Sequence, residues 1–203
     1  MPRSSTRWRR SSGARRIPPR PCVWTIGHSN RPIAVFLDLL QARAIALLVD
    51  IRSWPGSRRH PQFAREALAR SLAEAGIAYH HCPALGGRRP RPSHGRPSPN
   101  GFWRIEGFRN YADYALTPPF AEALRRLLAE AERRRTAIMC AEALPANCHR
   151  RIVTDHLLAR GAEVRHILDR NRIETARMTD AARISPDGVV TYPSPQPGLF
   201  DDR

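Results

Sequence analysis

The sequence predicts an α/β fold, a single three-layer domain with a mostly parallel sheet of about five strands and helices on both faces. Three observations carry this expectation. Short apolar runs of strand length alternate with amphipathic stretches of helical length. Glycine or proline punctuates the joints between them. At 203 residues and 41% hydrophobic content, the chain is long enough for one sizeable core and too short for two comfortable domains.

Each element follows from its residues. Residues 1–20 are mainly Arg, Ser and Pro with little to bury and read as a disordered arm, either a solvated tail or one that contacts phosphates. The α/β domain is expected over 21–192. Cys22 to Ile26 is the first strand. Pro32 then sits where a helix would start, and Ile33, Phe36, Leu37, Leu39, Leu40 and Ile45 form its apolar face. Ala46 to Ile51 is the second strand, followed after Trp54-Pro55-Gly56 by a helix from about Gln62 to Ala75 that Gly76 closes. Ile77 to Cys82 is the third strand. Four prolines and a glycine within 88–100 exclude regular structure, so 88–104 is expected to be a mobile basic loop. Phe102 to Tyr114 is aromatic-rich, either core packing or a surface that stacks bases. Pro119 to Arg135 is a long amphipathic helix and Ala137 to Cys140 the fourth strand. A helix opens near Asn147 and Cys148 and ends at Gly161, and Glu163 to Leu168 is the fifth strand. Val189 to Tyr192 reads as a further short strand before a tail over 193–203.

Charge narrows the chemistry. All 34 basic residues are arginine, and the formal net charge is +16. Twelve of those arginines lie in residues 1–20 and 88–104, which contain no acid before Glu106, so the remainder carries only about +4. Without lysine there is neither a P-loop nor a Schiff-base residue for pyridoxal chemistry, and the GxGxxG dinucleotide fingerprint is missing. Four cysteines without a CxxC pair point to reduced thiols. No apolar run is long enough for a membrane span and no secretory pattern opens the chain, so a soluble cytoplasmic protein is expected.

Parallel sheets bind ligands beyond the carboxyl ends of their strands, and the unusual residues gather there. His28 and Ser29 end strand one, Asp50 and Arg52 end strand two, and Gly86 and Gly87 follow strand three. Cys140 and Glu142 end strand four, and Cys148, His149 and Arg150 open the next helix. A thiol near a helix N-terminus is acidified by unsatisfied N–H groups, and His149 and Arg150 would add to this. The expected site therefore has Cys140, Glu142, Cys148, His149 and His28 as catalytic candidates, with His149 or His28 as base. Ser29, Asp50, Arg52, Gly86, Gly87 and Arg150 are the candidates for binding an anion. Asp50 and Arg52 have the alternative of pairing with each other. The cysteines have the alternatives of an inert or redox pair, or of a metal site with the two histidines, although their spacing matches no standard zinc motif. His80 and His81 read as packing or surface residues, Cys22 and Cys82 as small buried apolar ones. Which cofactor, if any, the protein uses is unknown from the sequence.

These residues also carry a resemblance. TIGHS at 25–29, DIRSWPGS at 50–57, LGG at 85–87, FRNYADYA at 108–115 and CAEALPANCHR at 140–150 resemble the bacterial family known as domain of unknown function 488. The likeness covers about residues 22–170. It implies an α/β fold, supplies no reaction, and carries the family's cysteine, glutamate and Cys-His-Arg onto Cys140, Glu142, Cys148, His149 and Arg150.

Two functions are compatible with this reading. One is an enzyme of DNA or nucleotide maintenance with a thiol nucleophile or redox centre and arginines for an anionic group. The other is a non-catalytic nucleic-acid-associated module whose arm and loop bind phosphates. In the tail, Gln196, Leu199 and Phe200 resemble the short peptide that docks repair proteins on the replication sliding clamp. A peptide of residues 194–203 is expected to bind a bacterial sliding clamp in fluorescence anisotropy and to lose binding when Leu199 and Phe200 become alanine.

Overall fold

The computed structural model describes residues 20–56, 59–91 and 97–195. The arm before Arg20, residues 92–96 of the basic loop, and Gln196, Leu199 and Phe200 of the tail lie outside the described residues. Among the described residues no helix is long and apolar enough to cross a membrane.

Five parallel strands form the centre: β1 (Cys22–Gly27), β2 (Leu47–Asp50), β3 (Ala78–His81), β4 (Thr136–Cys140) and β5 (Glu163–Ile167). A sixth, β6 (Ile173–Thr175), adds antiparallel to β5, and the order across the sheet is β3-β2-β4-β1-β5-β6. Strand β4, made after β1, β2 and β3, lies between the two made first. Its residues and those of β2 are all buried, and this double coverage explains why both read as continuous apolar runs.

Side-chain alternation divides the core in two. Val23, Val49, Ile138 and Val164 point to one face, where α3 (Glu106–Tyr114), α4 (Pro118–Arg133) and α5 (Arg150–Leu158) supply Tyr111, Phe120, Leu124, Ile152 and Val153. Trp24, Ile26, Leu48 and Met139 point to the other, covered by α1 (Ile33–Gln41) and α2 (Arg65–Glu74) through Phe36, Leu40, Leu68 and Leu72. This is the expected three-layer α/β domain.

The structure differs from the expectation in several places. The helix expected from Gln62 begins at Arg65, because Ala64 is extended (ψ 147°) and a short 3-10 turn, Pro61–Phe63, precedes it. That turn sends Phe63 inward to stack on His28, with ring centroids 4.3 Å apart. The aromatic segment contains α3, whose Phe108, Tyr111, Ala112 and Ala115 follow a helical period. The extra strand β6 follows a turn in which Asp169 Oδ1 accepts the N–H groups of Asn171 and Arg172, each at 2.8 Å. The basic loop is fastened at its far end: Asn100 is fully buried, donates to Asp113 Oδ1 at 2.7 Å and accepts from the Tyr192 N–H at 2.9 Å. Tyr192 closes a small hairpin of β7 (Arg183–Ile184) and β8 (Val190–Thr191), and its hydroxyl donates to buried Asp155 at 2.8 Å.

The β1 and β4 ladder continues past both strand ends, with His28 N–H donating to Cys140 O and Ser29 N–H to Ala141 O, both at 2.9 Å. This draws the backbone of Glu142 against Gly27, where an added Cβ would lie 1.8 Å from the Glu142 carbonyl oxygen. Gly27→Ala is expected to destabilise the fold by about 3 kcal/mol, at the upper end of overpacking costs. Gly56→Ala, which meets nothing within 4 Å, serves as the near-neutral comparison. Urea midpoints of the two variants check this.

Candidate functional site

The strand order brings the carboxyl ends of β1, β2 and β4 side by side, and a cleft of about 600 Å³ opens over them. His28, Arg52, Gly87, Cys140, Glu142, Cys148 and His149 line it, joined by Trp54, Arg59 and Arg88. Ser29, Asp50, Gly86 and Arg150 do not.

Two free cysteines form its floor. Cys140 ends β4 and Cys148 follows a 3-10 turn, Pro145–Asn147; they are 1% and 3% exposed and their sulfurs are 2.8 Å apart. Helix α5 begins later than expected, at Arg150, so Cys148 precedes it rather than opening it. The effect on the thiol persists, because the Arg150 N–H points at Cys148 Sγ from 3.4 Å.

His149 stands on the other side of the sulfur. Its Nε2 is 3.1 Å from the Ile51 carbonyl, a pure acceptor, so Nε2 carries a proton and Nδ1 is directed at Cys148 Sγ, 3.4 Å away. The ring is held by an edge contact with Tyr111, at a centroid distance of 5.1 Å, and Tyr111 is itself tied by its hydroxyl to Leu85 O at 2.7 Å. Gly87 closes the remaining side, since a Cβ there would come within 2.9 Å of His149 Nδ1. Gly86 serves the same wall indirectly by admitting Ser53, whose Oγ would lie 2.6 Å from an added Cβ.

The two thiols divide the charge. The Cys148 thiol is lowered by the hydrogen bond from Cys140, despite its burial, with His149 and the Arg150 charge acting in the same direction. Cys140 is pushed up by burial, then by its negative neighbour. The two shifts run in opposite directions, so the pair favours a thiolate on Cys148 over one on Cys140.

Asp50 and Arg52 pair with each other. Arg52 Nη2 donates to Asp50 Oδ2 at 2.6 Å and Nε to Oδ1 at 2.9 Å, and both side chains are almost fully buried. Tyr79 donates to the same carboxylate at 2.8 Å, and His81 Nε2 lies 2.8 Å from Arg52 O. What remains of the Arg52 guanidinium, Nη1, points to His28 Nε2 at 3.3 Å. His28 uses Nδ1 on Ser29 O at 2.8 Å, and burial first of all lowers its pKa to about 4. It is a neutral ring with both nitrogens engaged.

Other candidates are placed differently from expectation. Arg150 is fully buried; Nη2 donates to the carbonyls of Glu142 (2.6 Å) and Ala143 (3.1 Å), and Nη1 to Thr25 Oγ1 (3.3 Å). Its two Nη atoms are bound within the protein, Nε has no hydrogen-bond partner, and the residue does not line the cleft, so its contacts shape the turn. Ser29 has a left-handed backbone (φ 50°) and its hydroxyl donates to Asn30. Glu142 offers Arg150 its backbone oxygen, while its side chain is exposed on the cleft wall. Among the described residues no group of three or more His, Cys, Asp and Glu could hold a metal ion. Sequence reasoning missed Trp54, which is 82% exposed, along with Arg59, Arg88 and Tyr111. The exposed tryptophan beside a Pro-Gly turn was the available signal.

A thiolate at neutral pH has a kinetic signature. Alkylation of Cys148 by iodoacetamide is expected to be nearly flat from about pH 8 to 6, whereas a thiol near 8.5 slows about tenfold per unit. Peptide mass spectrometry after timed quenching measures it.

No curated protein and no solved structure matches this sequence. The geometry, the fold and four of the five sequence motifs nevertheless coincide with one family match, over residues 32–157, and the chain belongs to that family, described as Domain of unknown function DUF488.

Proposed function

We propose that the protein is a thiol-dependent enzyme acting on an anionic substrate, with Cys148 as nucleophile and His149 as its acid-base partner. The observation that carries this reading is the convergence on one buried sulfur of a thiol donor, an imidazole nitrogen and a backbone N–H. A structural cysteine has no need of three such partners at the floor of an open cleft.

The anionic preference rests on the cleft walls. Among the described residues they carry Arg52, Arg59 and Arg88 against one carboxylate, Glu142. Arg52 is neutralised by Asp50, so Arg59 and Arg88 at the rim are the groups suited to draw a negative substrate in. Attack by the thiolate would leave the His149 proton for the leaving group. The setting in DNA or nucleotide maintenance is proposed from the arginine-rich arm and the clamp-type tail of the sequence.

Paired reagents test the reading. The ratio of iodoacetate to iodoacetamide rates at Cys148 is expected to be about tenfold higher than at free cysteine, the low end of electrostatic steering for an anion. In the Arg59→Ala/Arg88→Ala double variant the ratio is expected to return to that of free cysteine. A ratio for the unaltered protein that equals free cysteine would sink the anionic substrate.

A further inference from the structure

We infer that Cys140 is a second catalytic thiol, which resolves a mixed disulfide formed on Cys148, so that the pair passes two electrons to an anionic disulfide substrate. This rests on the reading of Cys148 as nucleophile and names the substrate class for it.

The geometry is that of a dithiol rather than of two separate cysteines. The sulfurs lie 2.8 Å apart, and no other cysteine pair among the described residues is in such contact. A disulfide bond of about 2.05 Å requires them to close by about 0.75 Å. Both line the same cleft, so a group attached to Cys148 remains within reach of Cys140. The intervening turn also has room to adjust, since Leu144, Ala146 and Asn147 are exposed.

Beyond acidifying Cys148, a second thiol in contact with the first attacks a mixed disulfide formed there, which is of no use to an enzyme that needs only one nucleophile. A resolving thiol is useful when interception is the reaction. The other groups in the site agree with exchange at sulfur: a thiolate to attack, a protonated thiol waiting, and an imidazole to protonate the departing sulfur.

The steps balance. The Cys148 thiolate, its proton held on His149 Nδ1, attacks one sulfur of the substrate, forming the Cys148–substrate S–S bond and breaking the substrate's own; the first thiolate leaves with that proton. Cys140 sulfur then attacks Cys148 Sγ, breaking the mixed disulfide, and the second thiolate leaves with the Cys140 proton. The substrate is reduced to two thiols, the protein dithiol is oxidised to a disulfide, and a reducing thiol must restore it. Arg59 and Arg88 favour a disulfide that carries carboxylates.

Oxidised glutathione, an anionic disulfide, is a suitable probe for the full-length reduced protein, with acid quenching and non-reducing peptide mass spectrometry. The expected product is a Cys140–Cys148 link with two glutathione molecules released per protein. Cys140→Ser and Cys140→Ala are expected to stop with one glutathionyl group on Cys148, and Cys148→Ser to form neither species. Dicationic cystamine is expected to react about tenfold more slowly. A lasting glutathionyl group on Cys148 of the unaltered protein would overturn the resolving role and leave the nucleophile standing. Failure of Cys148 to react with oxidised glutathione while it alkylates at neutral pH would overturn the disulfide substrate; failure in both would remove the underlying thiol reading as well.

Discussion

The site depends on a buried guanidinium that has no carboxylate partner among the described residues. Arg150 reaches back from the first turn of α5 to the carbonyls of Glu142 and Ala143 and across to Thr25 on β1, and it has no exposure to solvent. Each of these hydrogen bonds has a charged donor, of the stronger class, and losing one would strand a buried polar group. The turn between β4 and α5 is thereby clamped to β1 at both of its ends. That clamp holds the two cysteines face to face, and its positive charge beside the sulfurs favours the thiolate it positions.

Other charges in the site also serve the protein before any ligand. Asp50 absorbs most of Arg52, Tyr79 adds a third partner to the carboxylate, and His28 is spent on Ser29 and Arg52. The result is a wall of largely paired groups around Cys140, Cys148 and His149, with Arg59 and Arg88 at the rim. Preorganisation of this kind keeps a nucleophile in one geometry without exposing it broadly to solvent.

Most of the fold was legible because parallel strands covered on both faces must be apolar throughout, and β2 and β4 read that way at once. β6 was not legible, being three residues long and largely exposed, and α3 was obscured because aromatic residues suit a sheet as well as a helix. Convergence at the strand ends followed from the general rule for parallel sheets. The division of labour did not: an arginine bound by backbone carbonyls of its own turn looks, in sequence, like one that binds substrate. Tyr79 and His81 escaped because they support the site from edge strand β3.

The position of β4 between β1 and β2 has a consequence for how the protein is made. A chain emerging from its N-terminus has both neighbouring strands long before the strand that must enter between them. Contacts across that gap join residues about ninety to one hundred and ten positions apart, which makes closure a late, non-local event. Until it happens there is neither a turn for Arg150 to clamp nor a pair of sulfurs in contact. The contact between the two thiols is thus absent from incomplete chains and appears only with the finished sheet.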